Sequence, residues 1–318
     1  MKRNLLVWLG WAISFVFLYF VLRGLNWSSV LEAFTKVSLL TPMIMIGVYL
    51  LGFILRSWRW KLLLPLGVPI GDSLGSVVLG YAANNILPAR LGELVRAQAI
   101  GNKCQISRSL ALASILVERV FDGLVLTGLL YVGIRGSTLP TWAESVGFLG
   151  LSIFGGALAF VSLLAITQFL WEVKITTLPA SKLRDVLQQF GRGLTLVWRT
   201  PFLPITILSL TLTVWLVEGI MFYVAIQAFE LKVPPTAALF VMGLVNLGIL
   251  VPSAPGYLGA FQYFGTLALR AWQVASGEAL ACVVLIHACQ YLPITLWGLS
   301  YIPYFGFTSL GNLRSEVK

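Results

Sequence analysis

Apolar residues run along this chain in long blocks, and polar residues collect at block ends and at a few internal points. Leu5 to Leu22 is uncharged and follows Lys2 and Arg3. It exceeds the ~7–15 apolar residues of a cleavable signal and lacks a small-residue cleavage site, which predicts a retained first span. Further blocks suited to crossing, at ~17–25 residues each with slack at the interfaces, are Leu40 to Leu55, Leu110 to Ile134, Val146 to Leu170, Phe202 to Phe229 and Ala279 to Phe305. The pattern predicts six spans.

Ser73 to Ile100 and Thr236 to Leu269 are also apolar, but Pro and Gly break them at LPARLGE and VPSAPGYLG. Each reads as a re-entrant helix-break-helix hairpin, because broken backbone at membrane depth is tolerated only where protein or a water-filled cavity covers it. Ser181 to Thr200 differs again: Leu183, Val186, Leu187, Phe190, Leu194 and Val197 recur at helical spacing with Lys182, Arg184 and Arg192 between them. This predicts an amphipathic helix on the cytoplasmic surface, either a connector between halves or an attachment to anionic lipid. Gly191 and Gly193 weaken that helix.

Composition turns the blocks into a class. With 58% hydrophobic and 11% charged residues, the chain has far fewer charges than the roughly 25% of a soluble domain. The fold class expected is an all-α polytopic integral membrane protein. A soluble domain, a disordered chain, a secreted disulfide scaffold and a nucleic-acid binder are excluded. Cys282 and Cys289 lie seven residues apart in an apolar block, about 10.5 Å along a helix, too far to bridge. Cys104 sits in a basic loop, and no metal-ligand spacing is present.

The charges report topology. If the six blocks cross and the hairpins return to their side of entry, 16 of the 22 basic residues share one side, Arg56, Arg59, Arg90 and Arg96 among them. Arg23, Lys36, Arg135, Lys232 and Arg270 fall on the other, and Arg119 lies within a span. The bias predicts a multi-pass protein of the cytoplasmic (inner) membrane with both termini in the cytoplasm.

The chain also resembles itself. Leu66-Gly67-Val68-Pro69 recurs as Leu231-Lys232-Val233-Pro234 at an offset of 165, Pro88 and Gly92 recur as Pro252 and Gly256 at 164, and Ala111-Leu112-Ala113 recurs as Ala279-Leu280-Ala281 at 168. Residues 1–140 and 141–318 each read span, span, hairpin, span, and an odd number of spans inverts the second repeat relative to the first. Inverted repeats with broken helices are the architecture of many alternating-access transporters.

Candidate chemistry gathers at the breaks. Asn84, Asn85, Pro88, Arg90, Gly92, Glu93 and Arg96 crowd the first one. Pro88 stops a half-helix, Gly92 permits close approach, and a second half-helix starting near Leu91 would aim free N–H groups at a phosphate. Arg90 adds a planar fork matched to phosphate oxygens, and the two asparagines add amide donors. The alternative is a cytoplasmic loop with positive-inside arginines.

Glu118, Arg119 and Asp122 lie inside a span, where each charge costs about 2.5–3.5 kcal/mol and demands a partner. Arg119 and Asp122 can pair at i, i+3, while Glu118 needs Arg90, Arg96 or a proton. The cluster is read either as a structural ion-pair group or as a functional one. Protonating a carboxylate would free an arginine for an anion, so proton-linked binding predicts that Glu118→Gln alters the pH dependence. The second break, with Pro252, Ser253, Pro255 and Gly256, is uncharged, but Glu218 and the sole histidine, His287, lie in nearby spans. His287 aligns with Arg119 and is read as a helix-contact residue or a proton relay.

NNILPARLGELVRA, ISRSLALASILVERVFDGL and VPSAPGYLGAFQ together resemble the flippase-like family named for the lysylphosphatidylglycerol synthase transmembrane region. The resemblance covers nearly the whole chain. It implies a flippase-like membrane domain that in some members moves an aminoacylated phospholipid, with Asn85, Pro88, Arg90, Gly92, Glu93, Arg96, Glu118, Arg119, Asp122, Pro252, Pro255 and Gly256 at motif positions. Bifunctional members add a soluble domain that charges the lipid from a tRNA, whereas this chain ends at Lys318 soon after its last span.

The leading expectation is therefore a translocase for a phosphate-bearing headgroup, be it a phospholipid, an aminoacyl-phospholipid, a polyprenyl phosphate or a glycolipid. An ion- or proton-coupled transporter of a small solute is second. A membrane-embedded enzyme of lipid modification is third, since no nucleophile or metal pair is evident. No P-loop is present, and the chain is expected to need no cofactor, no metal and no nucleic-acid partner.

Overall fold

The computed structural model describes residues 2–87, 91–134, 140–167 and 181–307, with side chains from residue 8 onward. Among these residues the chain forms twelve α-helices and no strand. They are α1 (Lys2–Leu22), α2 (Trp27–Thr35), α3 (Leu40–Leu62), α4 (Ile70–Ile86), α5 (Gly92–Cys104), α6 (Arg108–Ile134), α7 (Thr141–Ile166), α8 (Lys182–Thr195), α9 (Leu203–Ala228), α10 (Ala237–Gly248), α11 (Ala260–Ala271) and α12 (Ser276–Ser300).

The apolar blocks correspond to helices, with differences at their ends. Helices α3, α7, α9 and α12 are long and apolar enough to cross a membrane, and α1 with α2, bent by 82°, forms a fifth candidate. Asn26 makes that bend by capping α2, its side-chain oxygen accepting from Ser28 N–H at 3.0 Å. At 27 residues α6 is long enough, but it carries Glu118, Arg119 and Asp122, so the six predicted spans reduce to four or five by length and apolarity alone among the described residues. The block ending at Leu55 continues as helix to Leu62 and so contains Arg56 and Arg59. The last block ends its α-helix at Ser300, followed by a 3-10 turn over Pro303–Phe305.

Both breaks fall where Pro and Gly predict them. Helices α4 and α5 pack against each other around Gly80 and Gly92. A Cβ on Gly92 would collide with the Gly80 carbonyl and the Asn84 side chain, so the glycine sets how closely the two half-helices meet. The second hairpin pairs α10 with α11, Phe264 lying on Gly248.

The amphipathic segment is helical, with Ser181 as N-cap accepting from Arg184 N–H. Its glycines act differently from the expectation. Gly191 and Gly193 are buried, and Gly193 lies on the Leu110 carbonyl and Ala113, so it allows α8 to dock on α6 rather than merely loosening a helix. Around the core α3 packs on α9, α4 on α12, and α10 on α6.

Candidate functional site

The charges inside this apolar body are paired. Arg56 Nη2 lies 2.5 Å from Glu218 Oε2, joining α3 to α9. One turn along, Arg59 donates to both oxygens of Asp122 on α6, at 2.5 and 3.2 Å, and to Thr211 Oγ1 at 2.9 Å. Arg96 of α5 grips Glu118 through two hydrogen bonds of 2.9 and 2.8 Å, its guanidinium 3.7 Å over the Trp60 ring. Arg59 also approaches Glu118 at 3.4 Å. Arg119 reaches Asp122 at 3.4 Å, Glu93 at 3.6 Å and the Tyr81 hydroxyl at 3.3 Å. Four guanidiniums thus face four carboxylates among the described residues, and uncharged donors add to the shell, while Glu93 Oε2 and Arg56 Nη1 are buried with no hydrogen-bond partner. Trp215 Nε1 donates to Asp122 at 3.0 Å, while Asn246 and Gln290 amides donate to Glu218 at 3.2 Å each.

A cavity of about 490 Å³ opens beside this network, within the ~300–1,000 Å³ range of small-molecule sites. Asn84, Asn85, Glu93, Arg119, Asp122, Glu218 and His287 line it, so seven of the sequence-derived candidates converge on one space from both halves of the chain. Arg96 and Glu118 stand behind its wall, almost fully buried.

The asparagines do not offer free amides. Asn84 Oδ1 accepts the Gly92 N–H at 2.7 Å, capping α5, and its Nδ2 faces Glu93 at 3.4 Å. Asn85 Nδ2 donates to Thr295 at 2.8 Å. The first N–H of the second half-helix is therefore already taken, contrary to the expectation that it awaits a phosphate.

His287 is bonded on both sides. Its Nε2 lies 2.9 Å from the Gly256 carbonyl and its Nδ1 2.8 Å from Gln262 Nε2. Because a carbonyl only accepts, Nε2 carries the hydrogen and Nδ1 accepts, which a neutral imidazole satisfies. Gln262 in turn accepts from Gly259 N–H at 2.9 Å, so this network fixes the second break to α12. Gly256 has φ +68° and sits between Tyr291 and the Asn85 carbonyl, directly after Pro255. Pro252 is exposed, and the Ser253 carbonyl lies where a Cβ on Gly10 of α1 would stand, so neither residue lines the cavity. Pro88 and Arg90 lie outside the described residues.

Arg56 and Arg59, counted in the sequence as cytoplasmic topology markers, are instead buried at 3% and 0% exposure. Removing them and the equally buried Arg96 from the 16 leaves 13 basic residues against five, so the bias survives. A signal for both was present. Tyr49, Gly52, Arg56 and Arg59 follow one another at helical spacing, so the arginines continue the buried stripe of α3. The cavity also takes Tyr49, Tyr81, Trp215, Asn246, Gln290 and Tyr291, none of which a charge-based reading singles out.

The family model described as the lysylphosphatidylglycerol synthase transmembrane region matches residues 7–298. A UPF0104 membrane protein of Methanocaldococcus jannaschii is 27% identical over 68% of this chain and 90% of its own. A second, from Methanothermobacter thermautotrophicus, is 22% identical over 76% of this chain and 77% of its own. Glycosyltransferase AglD of Haloferax volcanii is 25% identical over 76% of this chain, but the match spans only 45% of that protein. No solved structure matches. With motifs, helix content and a match running across 7–298, the chain belongs to the lysylphosphatidylglycerol synthase transmembrane region family.

Proposed function

We propose that this multi-pass membrane protein is a translocase for a phosphate-bearing lipid headgroup, and that it works without enzymatic turnover of the lipid. The cavity carries the reading: a polar, charge-lined space of about 490 Å³ lies within an otherwise apolar helical body, bounded by both hairpins. Intramembrane charges of this kind mark passage routes. Arg119 is the most accessible of the four guanidiniums, its side chain 33% exposed, and is assigned to the phosphate.

The topology we assign is an inverted repeat of residues 1–140 and 141–318 in the cytoplasmic membrane. It has six crossings, two re-entrant hairpins, both termini in the cytoplasm, and α8 on the cytoplasmic lipid surface. Reciprocal packing supports it: the first hairpin's α4 rests on α12, the second hairpin's α10 rests on α6, and the matched helices α3 and α9 pack together. The family's name is that of a phospholipid synthase, and the AglD relative is named a glycosyltransferase; a phosphate-bearing lipid or glycolipid cargo is in keeping with both.

Reconstitution into liposomes with labelled phospholipids, glycolipids and polyprenyl phosphates tests the function. Wild type should move at least one lipid faster than empty vesicles, and Arg119→Gln should lower that rate by at least tenfold. Arg90→Ala tests the remaining family-motif arginine in the same assay. Should a soluble solute cross while no lipid does, the protein is a solute transporter and the translocase reading falls.

A further inference from the structure

The cavity is lined by two unlike sets of residues. One is the charged and aromatic network above; the other is formed by Leu126 of α6, Phe154 of α7, Leu247 of α10, and Ile249 and Leu250 in the second break. No charged group belongs to that second set. A headgroup site alone has no use for it, and a whole lipid does not fit in the cavity, so the hydrocarbon chain must leave toward the bilayer.

The apolar set also reaches the outer surface of the protein. Helix α7 packs on α6 and α8, and only 6% of its apolar window is buried, so most of its surface is free to meet lipid. Leu250 lines the cavity and is still 51% exposed, which puts it at a mouth. Between them lies a specific closure. Phe154 is half-buried and its ring rests on Gly123 of α6, where any Cβ would collide with it. Glycine here provides the seat for an aromatic plug: the Phe154 side chain can swing away without breaking a hydrogen bond or an ion pair. Gly147 and Gly150 continue the same seam, facing Tyr131 and Thr127, so α7 meets α6 through small residues along its length.

We propose that the arm lined by Leu126, Phe154, Leu247, Ile249 and Leu250 takes the hydrocarbon chain of the lipid whose headgroup occupies the charged site, with Phe154 on Gly123 as its gate to the bilayer. The inference rests on the translocase reading and deepens it, by requiring a cargo with a chain long enough to trail into the membrane. An apolar arm continuous with a polar site is the complement of an amphiphile, and burying methylenes there is favourable relative to water but not relative to lipid. The arm therefore guides the chain rather than binding it tightly, as a translocation path requires.

Photo-crosslinking tests this without depending on transport. The full-length protein carrying benzoylphenylalanine at position 154, or at 250, is reconstituted in vesicles of phosphatidylethanolamine, phosphatidylglycerol and a polyprenyl phosphate in fixed ratio. Position 160, an exposed phenylalanine on the same helix, serves as the bulk-lipid control. We expect 154 and 250 to capture one lipid class at least fivefold above its share in the vesicle, while 160 reports the vesicle ratio. If 154 and 250 also report the vesicle ratio, or capture no lipid while 160 does, the arm is not a chain site. In a second measurement, Phe154→Ala should speed movement of a short-chain fluorescent lipid severalfold; an unchanged or slower rate removes the gate. Selective capture with no lipid movement in any vesicle would overturn the translocase reading and leave the chain site standing.

Discussion

At the scale of single residues, the site is held by ion pairs that are largely buried. Removing one partner of such a pair leaves a buried charge and costs about 3–5 kcal/mol, whereas removing both with apolar replacements is often nearly neutral. Arg56 and Glu218 are the cleanest case, each side chain at most 5% exposed. Glu218→Gln should lower the melting temperature in detergent by an amount matching that cost, and Arg56→Met with Glu218→Leu should recover most of it. A double variant as unstable as the single one would mean that the pair is not the reason for the loss. Glu118 is held in the same way by Arg96 and Arg59 and is 1% exposed, so Glu118→Gln reports first on the framework. Glu93, whose side chain is 25% exposed, is the most accessible of the three carboxylates that line the cavity. These partnerships were only partly legible in the sequence. Glu118 with Arg96, 22 residues away, could be inferred because an intramembrane acid demands a cation. Arg56 with Glu218, 162 residues apart, could not, because Arg56 ends an apolar block and looks the same as a topology marker until α9 is placed against it.

At the scale of elements, helices and breaks were legible because long apolar blocks and Pro–Gly interruptions are local properties, while helix ends and the work of particular glycines depend on what packs nearby. Helix α3 runs on through two arginines because carboxylates from α6 and α9 meet them. The glycines at 191 and 193 look like weak points in an isolated helix, yet both are buried and Gly193 is where α8 docks on α6. The first hairpin depends most on such a contact. A methyl at position 92 must displace the Gly80 backbone or the Asn84 side chain that caps α5, neither of which is a flexible chain end. Gly92→Ala should therefore destabilise by at least the ~1–3 kcal/mol typical of overpacking and abolish transport. Gly71→Ala, at an exposed glycine of α4 with open space around its Cβ position, should be neutral or slightly stabilising. Equal melting temperatures for the two variants would remove the close crossing from the account of the hairpin.

At the scale of the whole molecule, the proposed inversion has a consequence that packing symmetry alone does not supply. Arg108, the first residue of α6, and Arg270, in the last turn of α11, are both exposed and lie at the exit of the second half-helix of their respective hairpins. An inverted repeat puts these two corners on opposite faces of the membrane, whereas a parallel repeat puts them on the same face. The positive-inside bias assigns Arg108 to the cytoplasm and Arg270 to the outside. With Cys104, Cys282 and Cys289 replaced by Ser or Ala, single Arg108→Cys and Arg270→Cys variants can be labelled in intact cells and in inside-out vesicles with a membrane-impermeant maleimide. Position 270 should label in cells, and position 108 only in inside-out vesicles. Labelling of both from one side would exclude the inversion, and with it an alternating path between equivalent hairpins. Exchange of the two patterns would keep the inversion and reverse the orientation. The pairing of a charged first break with an uncharged second one then acquires a direction: Glu93 and Arg119 would meet the headgroup from the cytoplasmic side, and the Gly256–His287 network would border the far side of the same cavity.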